Sequence, residues 1–320
     1  MTSSPPVRLA DLAARELLVV TGKGGVGKTA LSAALGRLLA ARRRTLVLEV
    51  DPRENLHHML GVPPSGGEVA EVPGGAGGPA GRAGGLWLQN LKPREVVDRL
   101  VAERLRIGPL ARRVLASPVY EQFAEGAPGL KEVAVLGHAL RLVEGRERGS
   151  WGDRFDLVVL DAPASGHGVS LLTAPKLLAE VIESGPVGTL GRELAAFVAD
   201  PARCGVVAVT TPEEMPVQEA IELAATLAER FGRRPDLLVV NGVYPPFEGG
   251  AAAEPAGDPG LALWHDRRRL QEREMARLDA EWAGPRVELP KLPLDPGPEL
   301  AGTLARCLAG ALGEEAAAWS

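Results

Sequence analysis

One segment restricts the fold of this chain more than any other: Gly22-Lys23-Gly24-Gly25-Val26-Gly27-Lys28-Thr29. It lies between an apolar run, Leu17-Leu18-Val19-Val20, and an alanine- and leucine-rich stretch at 30–41 that reads as a helix. A second apolar run, Thr45-Leu46-Val47-Leu48-Glu49-Val50, follows. Strand, glycine-rich turn, helix and strand make a βαβ unit, and runs this apolar are buried on both faces. The eight residues fit G-x-x-x-x-G-K-[ST] and stand where that pattern has physical meaning, after a strand and at the opening of a helix. Glycines let the main chain wrap a polyphosphate with its N–H groups pointing inward. Lys28 supplies a charge for the terminal phosphates, and Thr29 supplies a hydroxyl for Mg²⁺. The start of the helix adds its own unpaired N–H groups. ATP and Mg²⁺ are therefore the expected ligands, held by the whole segment from Gly22 to Thr29.

The same rhythm continues along the chain. Strands are expected at 155–160, 206–210, 237–241 and 287–289, and helices at 171–182, 213–230 and 299–311. Alternation of this kind predicts an α/β fold, a P-loop NTPase whose mostly parallel sheet is flanked by helices. Residues 1–320 read as a single domain of this type. Two stretches break the pattern. Residues 61–85 hold fourteen glycines and prolines in twenty-five positions, so a flexible surface loop is expected there, with a second at 244–260. Residues 93–148 read as helices at 95–106, 118–123 and 131–143, too long for one crossover, and predict an inserted helical subdomain. Its apolar residues Val133, Val135, Leu136, Ala139, Leu140 and Val143 either pack the core or line a groove for a client; core packing is the simpler reading.

Two carboxylates stand at predicted strand ends, where ligands bind in open α/β sheets. Asp51, in Glu49-Val50-Asp51-Pro52, is placed to orient a water against the γ-phosphate, or else to cap the following helix. Asp161 ends Phe155-Asp156-Leu157-Val158-Val159-Leu160-Asp161 and is placed to hold Mg²⁺, through a water, rather than merely to cap a turn. The residues after it, Ala162-Pro163-Ala164-Ser165-Gly166-His167-Gly168, form a loop able to reorganise when a phosphate leaves.

Lys23 adds a second lysine to the phosphate loop, which cradling one nucleotide does not require. With it, the segment resembles the deviant Walker A loop, K-G-G-x-G-K-[ST], of the ATPase class that includes MinD, ParA, nitrogenase iron protein and the arsenical-pump ATPases. Together with Asp51-Pro52-Arg53-Glu54-Asn55-Leu56 and the loop after Asp161, it is similar to the arsenical-pump (ArsA) and tail-anchored-protein-targeting ATPases. The likeness runs from Leu17 to about Leu300. That resemblance implies ATP hydrolysis in a nucleotide-sandwich dimer, with Lys23 acting in trans beside Lys28 and Asp51 orienting the water. It also implies Ala30 beside the α-phosphate, Asn241 reading adenine and Pro290 closing over the base. The chain carries one P-loop, so a second site would come from a homodimer or from a heterodimer with a related subunit. A hydrophobic client or membrane-protein partner is implied in the same way. A positioning ATPase of the MinD or ParA kind, and a non-hydrolysing nucleotide-binding subunit of a heterodimer, are the alternatives. The acidic tail at 312–320 disfavours the first of these.

Charge and cysteines narrow the field further. The formal net charge is −5 with the signs interspersed, so no nucleic acid is expected as partner, and Arg267-Arg268-Arg269 among glutamates reads as a solvated helix face. Cys204 and Cys307 form no C-x-x-C pair and no metalloid- or zinc-binding set. Adjacent His57 and His58 do not face one another on a helix and predict no shared metal. No signal peptide or membrane span is read, and a cytoplasmic location is expected.

Overall fold

The computed structural model describes residues 7–50, 53–74, 84–105, 113, 115–118, 120–121, 126–127, 129–147, 149, 152, 154–163, 168–182, 184–246 and 259–313. Asp51, residues 164–167 of the loop after Asp161, residues 75–83, much of 106–128, residues 247–258 and the tail from 314 onward lie outside them.

Among the described residues eight strands make one sheet. In chain order they are β1 (Leu17–Thr21), β2 (Arg44–Glu49), β3 (Ala70–Glu71), β4 (Gly85–Asn90), β5 (Leu157–Asp161), β6 (Cys204–Thr210), β7 (Leu237–Val243) and β8 (Arg286–Pro290). Their order across the sheet is β3-β4-β2-β5-β1-β6-β7-β8. Every pairing is parallel except the edge pair β3–β4.

Alternation along each strand divides the core in two. Leu17, Val19, Leu46, Leu48, Val158, Leu160, Val206 and Ala208 face one apolar cluster. Their neighbours Leu18, Val20, Val47, Leu157, Val159, Val207 and Val209 face the other. Successive strand side chains point to opposite faces, so a strand covered on both sides must be apolar at every position. That is the origin of the continuous apolar runs in the sequence. Helices α1 (Leu9–Ala13), α2 (Lys28–Ala40), α3 (Asn55–Leu60) and α10 (Pro298–Ala311) cover the second face. The first is covered by α4 (Pro93–Leu105), α5 (Leu130–Val143), α6 (Gly168–Val181), α7 (Gly185–Ala199) and α8 (Glu214–Phe231), and α9 (Pro259–Glu281) reaches it through Leu278.

Three features differ from the sequence expectations. β4 lies inside the sheet beside β2, although its apolar run, Leu86-Trp87-Leu88, is short and ends in Gln89-Asn90. The described part of 61–85 is not simply an open loop: Val62 and Val72 are buried, and Ala70–Glu71 pairs with β4. Helix α7, which begins Gly185-Pro186-Val187-Gly188, lies outside the helices expected from the sequence and packs on α6 and α5. All six apolar residues of 131–143 named above are buried in the core, so that face is occupied by the protein's own packing. The buried Gln89 accepts from His138 Nε2 through Oε1 at 2.9 Å and donates to the Gly67 carbonyl, tying β4 to α5 and to the residues before β3.

Candidate functional site

The central strand β1 is flanked by β5 and β6, and the chain reaches β2 by crossing over β5. The carboxyl ends of β1, β2 and β5 come level, with Val20 and Glu49 both opposite Asp161. This is the crevice in which open α/β sheets bind ligands.

The glycine-rich turn leaves β1 and opens α2, with Gly27 as N-cap at φ 92, in the left-handed region that a side chain disfavours. A Cβ on Gly27 would collide with the Asn241 amide, and one on Gly22 would collide with the Val209 carbonyl. The turn is therefore packed against β6 and β7 so closely that only glycine fits. No acidic residue of α2 itself occupies its first turn, and the positive end of the helix faces the turn.

Lys28 is buried, 6% exposed, and its Nζ donates to the Lys23 carbonyl at 2.9 Å. Burial lowers its pKa below the ordinary lysine value, while the Asp161 and Glu219 carboxylates act to raise it. A cation held out of water beside a cradle of amides is matched to a polyanion that would restore its charge balance.

Thr29 and Asp161 meet as their spacing in the chain cannot reveal. Thr29 Oγ1 donates to Asp161 Oδ2 at 2.7 Å, and Ser32 Oγ donates to Asp161 Oδ1 at 3.1 Å. The donors here are hard oxygens, of the kind Mg²⁺ takes from a protein that leaves most of its shell to water and phosphate. Among the described residues no group of three or more His, Cys, Asp or Glu is placed to form an all-protein metal cage. The residues thus fit Mg²⁺, with Thr29 and Asp161 the ones that would hold it.

Lys23 leans back along the molecule: its Nζ pairs with Glu219 of α8 at 3.4 Å, with about a third of each side chain exposed. Such a pair contributes at most about 1 kcal/mol, so it is easily exchanged for a stronger anion. Sequence reasoning missed Glu219, which gives no local signal.

Beside the turn opens a cavity of about 530 Å³ whose lining includes Gly27, Thr29, Ala30, Asn241 and Pro290. Of the expected contacts, these are brought together there. The Asn241 amide donates to the Val26 carbonyl at 2.9 Å, which joins the end of β7 to the phosphate turn. His58 and Met59 of α3 and Leu294 also line the cavity, and the sequence had pointed to none of them as ligand contacts. His57 is buried, 1% exposed, with Nε2 accepting from the Ser65 N–H at 3.1 Å. Burial lowers its pKa, and Glu54 opposes that shift.

The segment after β2 is tied back to the end of that strand. Glu49, fully buried, accepts from the Leu56 N–H at 3.2 Å and from Asn90 Nδ2 at 3.4 Å. Helix α3 starts at Asn55 with Glu54 as its N-cap, so Glu54 and not Asp51 stands at the cap position. Glu54 has φ 50 and is the one non-glycine with positive φ among the described residues.

Residues 15–186 match the family model for anion-transporting ATPases, which spans the phosphate turn, both carboxylate strands and the helices between them. The chain belongs to this ArsA family. Among its relatives is an arsenical pump-driving ATPase of Acidiphilium multivorum, 30% identical over 249 residues. That alignment covers 72% of this chain and 40% of the relative. One from Escherichia coli is 29% identical over 289 residues, covering 83% of this chain and 44% of the relative. ATPase BagA of Mycobacterium tuberculosis is 27% identical over 225 residues, covering 70% of this chain and 63% of the relative. The chain thus spans less than half the length of the two pump-driving ATPases.

Proposed function

We propose that this ArsA-family chain binds MgATP in the cleft at the ends of β1, β2 and β5, hydrolyses it, and uses the cycle to open and close a dimer. The observation that carries this is the bond from Thr29 to Asp161 at the mouth of the glycine turn, because it joins the two residues a magnesium-nucleotide site requires. Bound magnesium would neutralise charge on the terminal phosphates. Within the chain, Gly22 to Thr29 hold the phosphates with main-chain amides, and Lys28 turns from the Lys23 carbonyl to the incoming anion. Asp51 orients the water, and Asn241 and Pro290 enclose the base. Lys23 exchanges Glu219 for the phosphates of a second protomer.

The names of the relatives point to energy coupling with a partner, and a membrane protein or hydrophobic client fits that role. Among the described residues no helix is long and apolar enough to cross a membrane, so a membrane step would rest with such a partner. Capture of a thiophilic oxyanion by this chain is not supported. Cys204 is fully buried, burial pushes its thiol up to about 12, and Cys307 lies in the other core layer.

The test is turnover of the purified chain with MgATP as protein concentration rises, with molar mass measured beside it in a non-hydrolysable analogue. Specific activity should climb with concentration, and the analogue should double the mass. Lys23→Ala should bind nucleotide as wild type does while losing both effects. Turnover that is absent in wild type, or unaffected by Lys23→Ala, would count against the cycle. A second expectation concerns Asn241. Removing its amide in Asn241→Ala frees the Val26 carbonyl and the base contact together, and calorimetry should show ATP affinity falling about five- to tenfold.

A further inference from the structure

Helix α2 carries a buried hydroxyl that the magnesium-nucleotide reading does not require. Ser32 is 0% exposed and sits among Leu31, Ala33, Ala34 and Leu35, all buried. Alanine would serve the helix better, and a serine in such a place commonly turns back to the carbonyl one turn earlier. Ser32 instead reaches across to β5 and donates to Asp161 Oδ1, while Thr29, three residues before it on the same helix face, donates to Oδ2.

The consequence is geometric. A carboxylate held through one oxygen can still swing about its terminal torsion, which has broad wells. Held through both oxygens by two residues of one rigid helix, its plane is fixed. A carboxylate only accepts, so both hydroxyls must donate. The Thr29 proton is thereby committed to Asp161, and the Thr29 lone pairs are left for a cation on the phosphate side.

We propose that Ser32 is a positioning residue for the magnesium side of this site, fixing the plane of Asp161 so that Thr29 presents its lone pairs to the metal. The proposal rests on the magnesium-nucleotide reading given above. It assigns Ser32 no contact with nucleotide or metal; the residue acts through Asp161. Loss of an outer partner of this kind typically lowers metal affinity by about 10- to 100-fold.

The test uses the full chain and a fluorescent ATP analogue, N-methylanthraniloyl-ATP, titrated in EDTA and then with Mg²⁺. In Ser32→Ala the affinity in EDTA should stay within about twofold of wild type, since the phosphate turn is untouched. The Mg²⁺ concentration at half-effect should rise about tenfold. Ser32→Cys keeps the volume but offers only a weak donor, and it should shift the Mg²⁺ response in the same direction. An unchanged Mg²⁺ response in Ser32→Ala overturns the proposal, as does a wild-type response restored by Ser32→Cys, which would trace the effect to a void. If Ser32→Ala does not fold, Ser32→Cys decides alone. A wild-type chain with no Mg²⁺-dependent binding would instead sink the nucleotide reading itself, so the two failures are distinguishable.

Discussion

Lys28→Ala lowers the affinity for MgATP by about 100-fold or more and removes turnover, while leaving the empty protein as stable as before or more so. The two halves of this result have different causes. Lys28 is 6% exposed, its ammonium is held by a main-chain carbonyl, and burial already works against its charge. Deleting a desolvated cation that lacks a strong partner costs the fold little. The triphosphate is a different matter, because it brings several negative charges into a site where water has been thinned out. There the Lys28 charge is worth far more than at a surface. Calorimetry reads the affinity, and thermal unfolding reads the stability. Wild type should gain a higher midpoint with MgATP by mass action, and Lys28→Ala should gain none. Affinity retained within a few-fold would remove Lys28 from the phosphate site.

Much of this arrangement was legible in the chain because its cause is local. A strand covered on both faces must be apolar at each position, so β1, β2, β5, β6 and β7 announce themselves as runs. The phosphate turn is legible because its glycines answer to steric demands, visible at Gly22 and Gly27. What escaped reading depends on the fold around it. β4 is an internal strand of only three consecutive apolar residues, and its polar Gln89 and Asn90 make sense only once His138 and Glu49 are found beside them. Helix α7, which opens on Gly185 and Pro186, shows itself only through its packing on α6 and α5. In the site, Asp161 could be placed from its strand end. Its second hydroxyl donor, Ser32, lies 129 positions away in sequence, and Glu219 reaches Lys23 only because α8 packs on β6, the neighbour of β1 in the sheet. Such pairs carry no spacing that a single sequence can display.

Asp51→Asn should keep nucleotide binding within about threefold of wild type and lower turnover by about 100-fold or more. The substitution is chosen because it separates chemistry from folding. Asparagine caps helices about as well as aspartate, so a role in capping alone would survive the change. The structure narrows that role further, since α3 begins at Asn55 with Glu54 at the cap. The segment's two ends are also held without Asp51. Glu49 at the end of β2 takes the Leu56 N–H, and Asn90 braces the same carboxylate from β4. Losing one negative charge near the phosphates should if anything favour binding, so tighter analogue binding together with lost turnover would also fit. The measurement pairs analogue affinity with single-turnover hydrolysis, so that slow product release cannot pass for slow chemistry. Undiminished single-turnover hydrolysis would mean that the water is oriented by another group, and the search would move to the loop that follows Asp161.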